Sequence, residues 1–154
     1  MKLAFGSDMD MHVARVVVEK LREDGHEVAV YGPVVDDDIL WPEVARRVAE
    51  DVAGGRADEG ILFCWTGTGV SIAANKVPGV RAALCDDAET ARGARLWNKA
   101  NVLCMSLRRT SEVVAQEILK QWFETAYRPN PEDDTCLAQI EALEMAYRKS
   151  EDNS

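Results

Sequence analysis

Only two of the 154 residues are histidine, and no two of the four cysteines stand in a CxxC spacing. That excludes a histidine-rich metal centre and the usual zinc ligand spacings. Cys64, Cys85, Cys104 and Cys136 lie scattered along the chain, which speaks against a disulfide framework. Cationic residues are in the minority, 18 Lys and Arg against 27 Asp and Glu, for a net charge of -9. No basic patch stands out, so nucleic acid is not an expected partner. No apolar run approaches the roughly 20 residues of a membrane helix, so no membrane partner is expected. An acid already stands at Asp8, too early for a signal peptide, and the expected location is the cytoplasm.

What remains is an ordinary globular composition, 47% hydrophobic and 29% charged, enough to build the core of one domain. Short apolar runs alternate with helical stretches. Strands are expected at Lys2–Gly6, Glu27–Tyr31, Gly60–Cys64, Val80–Leu84 and Asn101–Met105. Between them, Val13, Val17 and Leu21 recur at steps of four in a helix from His12 to Asp24, which Gly25 stops. Pro42 opens a second helix carrying Val44, Val48 and Val52, broken at Gly54-Gly55. Further helices are expected over about 70–76, 86–97 and 110–126, the last with Val114, Ile118 and Trp122 on one face. Arg128 to Asp134 reads as a polar linker, and a last helix is expected from about Thr135 to Lys149, with Ser150 to Ser154 frayed.

This alternation predicts an α/β fold, a Rossmann-like three-layer sandwich on a five-stranded parallel sheet. Right-handed crossovers place helices on both faces, and ligands in such sheets sit beyond the strands' C-terminal ends. Residues 1–127 make up the α/β domain. Residues 128–154 form a linker and a helix with nowhere to dock on a five-stranded unit, so that helix is expected to pack on a second subunit.

The segment richest in chemistry is Cys64-Trp65-Thr66-Gly67-Thr68-Gly69-Val70-Ser71. It ends a strand and opens a helix. Main-chain amides in a glycine turn at a helix start make an anion hole, and thiols in such places ionise readily. A base beside such a hole suits proton abstraction next to a carbonyl. The segment fits neither GxGxxG nor the Walker pattern. By spacing alone the reading that wins is a phosphate or nucleotide loop, with Cys64 a small buried hydrophobe.

The run from Gly60 to Ala82, GILFCWTGTGVSIAANKVPGVRA, is similar to a long family signature, G-I-L-x-[CS]-G-T-G-x-G-x-S-x-A-A-N-K-x-x-G-[IV]-R-A. Ala4-Phe5-Gly6-Ser7-Asp8, Asn98 and Asn101-Val102-Leu103 add to it. From Lys2 to about Ala126 the chain resembles the sugar-phosphate isomerases that include ribose-5-phosphate isomerase type B and the galactose-6-phosphate isomerase subunits.

The resemblance implies an aldose–ketose isomerase working through a cis-enediolate on a pentose or hexose, phosphorylated or not. Cys64 would be the base, with Thr66 beside it and Asn98 lining the hole. Gly67, Thr68 and Gly69 would supply the amides, and Asp8 would contact sugar hydroxyls. It also implies no metal or organic cofactor, and a homodimer or dimer of dimers whose sites are each completed by the other subunit.

The departures share a direction. Met9 and Trp97 stand where the family keeps histidines that serve ring opening or phosphate binding. Trp65 replaces a glycine and Trp41 a tyrosine. Two phosphate-clamping arginines fall near Glu132 and Cys136, and only Arg108 remains where the family keeps one. A doubly charged phosphate wants arginine forks, so substrate recognition is expected to be altered from ribose 5-phosphate, within a divergent member of the family. Asp10 and His12 lie near the lost histidine and are candidates for ring opening; His12 equally reads as a solvated first-turn residue. The rival reading, from another class, is a non-catalytic sugar- or nucleotide-binding protein on the same scaffold.

Overall fold

The structure, a computed structural model, describes residues 1–148; Lys149, the expected end of the last helix, and the expected frayed end at 150–154 lie outside the described residues. Strands β1 (Lys2–Ser7), β2 (Glu27–Tyr31), β3 (Glu59–Cys64), β4 (Ala82–Leu84) and β5 (Val102–Ser106) alternate with helices α1 (His12–Glu23), α2 (Trp41–Ala53), α3 (Thr68–Ala74), α4 (Ala88–Asn98) and α5 (Glu112–Glu124). A further helix, α6 (Pro131–Tyr147), follows. The sheet is wholly parallel in the order β2-β1-β3-β5-β4. Among the described residues no helix is long and apolar enough to cross a membrane.

Each strand feeds one face with its odd side chains and the other with its even ones. Phe5, Ile61, Phe63, Leu103 and Met105 join α1, α4 and α5 in one core. Ala4, Leu62, Cys64, Val102 and Cys104 join α2 and α3 in the other. All six residues of β3 are buried, as its continuous apolar run requires of a strand covered on both faces. Helix ends are capped where the sequence supplies acceptors. Asp87 accepts from the Thr90 amide at 2.6 Å to start α4, and Ser111 from the Val114 amide at 3.2 Å to start α5.

The expected linker is shorter than its composition suggests. Asn130 accepts from the Asp133 amide at 2.9 Å, Pro131 takes the first helical position, and α6 begins there rather than at Thr135. Glu132, Asp133 and Asp134 thus form a first turn where acids complement the helix dipole. Among the described residues of α6 none is buried; Ile140, Leu143 and Met145 are all exposed. Among the described residues two hydrogen bonds tie the helix to the 1–127 domain, from the Gly79 amide to Glu144 at 2.8 Å and from the Tyr127 hydroxyl to Asp134 at 2.6 Å. A 3-10 turn at Pro33–Val35 is not signalled by periodicity.

Candidate active site

The middle of the sheet ends on Cys64. Pairing sets Ser7 of β1 beside Phe63, and Ser106 of β5 beside Cys64. Three strand ends therefore converge there. Cys64 lies on the α2/α3 face and is recessed, 5% exposed. The loop after it is held from β5: the Trp65 carbonyl accepts from Ser106 Oγ at 2.9 Å and from the Arg108 amide at 3.1 Å. With its backbone fixed there, the Trp65 side chain stands out, 48% exposed.

Gly67 makes the turn into α3. Its φ is +76°, and a Cβ there would lie 2.5 Å from Leu84 Cδ1 and 2.9 Å from the Met105 carbonyl carbon. Only glycine meets both demands. Thr66 and Thr68 share a hydroxyl hydrogen bond of 2.7 Å across this turn. The first-turn amides of α3 have no intrahelical acceptors. Gly69 stands in that turn with the Trp41 ring against it: a Cβ would come within 3.1 Å of Trp41 Cδ2 and Cε3. Trp41 is the first residue of α2 and remains 41% exposed.

Asp8 leaves β1 next to this loop, its amide donating to the Phe63 carbonyl at 3.4 Å. Its Oδ1 is buried without a hydrogen-bond partner. Burial raises its carboxyl above the ordinary aspartate range, partly offset by a backbone hydrogen bond. Met9 follows in a turn pinned by Ser7 Oγ, which donates to the Met9 carbonyl at 2.7 Å, and its side chain is exposed. Arg108 is exposed and, among the described residues, makes no ion pair, whereas Arg109 lies 3.8 Å from Asp86.

Other expected site residues are placed elsewhere. Asp10 is taken by Arg15. His12 points to Glu112 of α5, Nε2 to Oε2 3.2 Å, on the α1/α5 side of the sheet. Trp97 and Asn98 end α4, which runs back toward the strands' N-terminal ends. Asn98 faces a groove of about 470 Å³ bounded by Asn75, Arg81, Ile140 and Leu143. The length of β5, about 13 Å at the usual rise, separates that end from Ser106 and Cys64. Within one chain Asn98 therefore does not line the same hole as Cys64. Antiparallel packing of α4 on its strand dictates this, and spacing along the sequence does not reveal it.

Two features escape sequence reasoning. Ser106 gives no motif signal, yet it fixes the loop. Glu59, on the first residue of β3, is buried with Arg95 Nη2 and Trp122 Nε1, each 2.6 Å from a carboxylate oxygen. Burial raises its carboxyl, while Arg95 and the indole donor pull the other way. Trp122, expected on the apolar face of its helix, is wholly buried core, and Cys85 and Cys104 are packing thiols.

Comparison with known proteins agrees with this architecture. A family model described as Ribose/Galactose Isomerase matches residues 3–140. Ribose-5-phosphate isomerase B of Escherichia coli K12 is 39% identical over 130 residues, 82% of this chain and 85% of that protein. D-erythrulose-4-phosphate isomerase 2 of Mycolicibacterium smegmatis is 40% identical over 112 residues, 73% and 74% of the two chains. The solved structure of Clostridium thermocellum ribose-5-phosphate isomerase B superposes with a TM-score of 0.89 at 35% identity, covering 96% of this chain and 99% of that one. With the signature run lying where the sheet meets the α3 turn, the chain belongs to the ribose/galactose isomerase family.

Proposed function

We propose that this protein is an aldose–ketose isomerase of sugar phosphates, with Cys64 as the base. The observation that carries the reading is the recessed thiol at the tip of β3, directly before a turn whose amides lack partners. Cys64 Sγ takes the proton from C2 of the open-chain aldose. The negative charge moves to O1, where the first-turn amides of α3 and the Thr66 hydroxyl receive it. Returning the proton at C1, with the O2 proton passing to O1, completes the ketose. Asp8, with one carboxylate oxygen buried and unpaired, is suited to hold a sugar hydroxyl. Arg108, with no carboxylate partner among the described residues, is suited to the phosphate. Thr68, Gly67 and Gly69 shape the cradle, and Met9 and Trp65 line its mouth.

A second chain completes the site. Trp97 and Asn98 lie too far from their own Cys64 to act on it, and α6 leaves its apolar residues uncovered. We read both as surfaces for a partner subunit, with residues 128–154 reaching onto it from the 1–127 domain in a homodimer or dimer of dimers. The four cysteines are free thiols, as fits a cytoplasmic enzyme. The retention of Cys64, Thr66 and Asn98 together argues against a pure binding protein, which needs no base.

Proton–deuterium exchange at C2 tests the reading. A panel of sugars and sugar phosphates is incubated with the protein in D2O and followed by NMR. An isomerase washes deuterium into C2 of at least one; a binder shifts signals and exchanges nothing.

A further inference from the structure

We infer that Trp41 limits the length of the sugar this site accepts, and that the preferred substrate is a four-carbon sugar phosphate, which has no ring to open. This rests on the isomerase reading above and narrows its substrate.

The first observation is the Trp41–Gly69 contact. The indole lies so close to the first turn of α3 that a Cβ on Gly69 would crowd it at 3.1 Å. Trp41 is nevertheless half-exposed, so its ring is a wall beside the cradle and not part of the core. Trp65 directly follows Cys64 and Met9 directly follows Asp8, and both are also large, apolar and exposed at this end of the sheet. Three such side chains around one mouth shorten the space for a hydroxylated chain. A tight apolar wall separates substrates differing by one carbon by about 10- to 200-fold.

The second observation concerns protons. Five- and six-carbon aldose phosphates are mostly cyclic. Opening them takes a donor at the ring oxygen and an acceptor at the anomeric hydroxyl, both titrating near neutrality. The two histidines, the usual side chains for this task, are committed elsewhere. His12 is held by Glu112. His26 stacks on Phe123 and precedes β2, at the opposite end of the sheet. A four-carbon aldose with phosphate on O4 has free hydroxyls only on C2 and C3. It cannot close a five- or six-membered ring, so its C1 carbonyl and C2–H are open to Cys64. The C2–H electron pair then becomes the C1=C2 bond as the proton passes to sulfur and the carbonyl pair moves to O1. Return of the proton from sulfur to C1, with the O2 proton passing to O1 and C2=O2 forming, balances the reaction without any oxidant.

The test compares erythrose 4-phosphate with ribose 5-phosphate at rising enzyme concentration, in the wild type and in Trp41→Ala. The expected wild-type kcat/KM is at least tenfold higher on erythrose 4-phosphate. The ribose 5-phosphate rate should level off at spontaneous ring opening, so that doubling the enzyme adds nothing, while the erythrose 4-phosphate rate keeps scaling. Trp41→Ala should shift the ratio of the two kcat/KM values at least tenfold toward ribose 5-phosphate. Trp41→Phe, which keeps a ring and the fold, should shift it the same way by less. An unchanged ratio in the folded variants overturns the inference. So does wild-type turnover of ribose 5-phosphate that exceeds that of erythrose 4-phosphate and scales with enzyme beyond ring opening. If neither compound reacts nor exchanges its C2 proton, the isomerase reading falls first and this inference with it.

Discussion

The two ends of β3 are built on opposite plans. At its first residue, Glu59 is enclosed, with a carboxylate oxygen on Arg95 and another on the Trp122 indole, and Arg95 also reaches the Ala100 carbonyl at 2.6 Å. The guanidinium further covers the face of the Trp122 ring, 5.0 Å from its centroid. Every strong group there has a partner. At its last residue, five positions on, polar capacity is left over among the described residues: a recessed thiol, unpartnered amides, the unpaired Oδ1 of Asp8 and an arginine with no acid. Buried polar groups left unsatisfied cost stability. Where one end of a strand is fully paired and the other is not, the unpaired end is the one that waits for a ligand.

That contrast can be broken by mutation. The largest effect belongs to the open end. Cys64→Ala is expected to lower turnover by about 10²- to 10⁴-fold while leaving the melting temperature near that of the wild type. Full activity in the variant would remove the sulfur from the mechanism. At the closed end the signs reverse. Glu59→Ala strands a buried guanidinium and should cost about 3–5 kcal/mol in urea unfolding, with turnover per folded molecule retained. A loss of stability too small to resolve would mean the network is not what holds that end.

Gly67→Ala sharpens the comparison, since it burdens both properties. The left-handed φ costs about 1–2 kcal/mol, and the new Cβ meets the Met105 backbone. Stability and turnover should fall together, measured by denaturation and by C2 exchange. The smallest effect lies outside both, just before β2, where His26 stacks on Phe123 with its rings 5.0 Å apart and Nδ1 buried without a partner. Burial holds its imidazole below the ordinary value of 6.5. The native state therefore binds fewer protons than the unfolded chain. The contribution of His26 to stability is full above pH 6.5 and is lost as pH falls through the lower folded value. In His26→Leu that part of the acid decline should disappear, with activity at neutral pH unchanged.

Much of this was legible from residue order. The alternation of apolar runs named all five strands, and the Cys64–Ser71 segment marked the open end before any coordinates. The Glu59 network was not legible. Its three members come from β3, α4 and α5, and a glutamate opening an apolar strand looks like solvated surface until the helices close over it. Asn98 shows the converse failure. Its motif marks it for the site, but only the direction of α4 reveals that it sits a strand's length from its own Cys64.

The amino-acid order alone decided the periodicities, the turn glycines and the identity of the thiol, because these depend on neighbours a few residues apart. Which side chains meet was decided by packing. The ring of Trp41 reaches Gly69 because α2 and α3 share one face of the sheet, and Trp122 reaches Glu59 because α5 crosses the other. Those meetings join residues 28 and 63 positions apart, and no local pattern encodes such a distance; it exists only once both cores have formed.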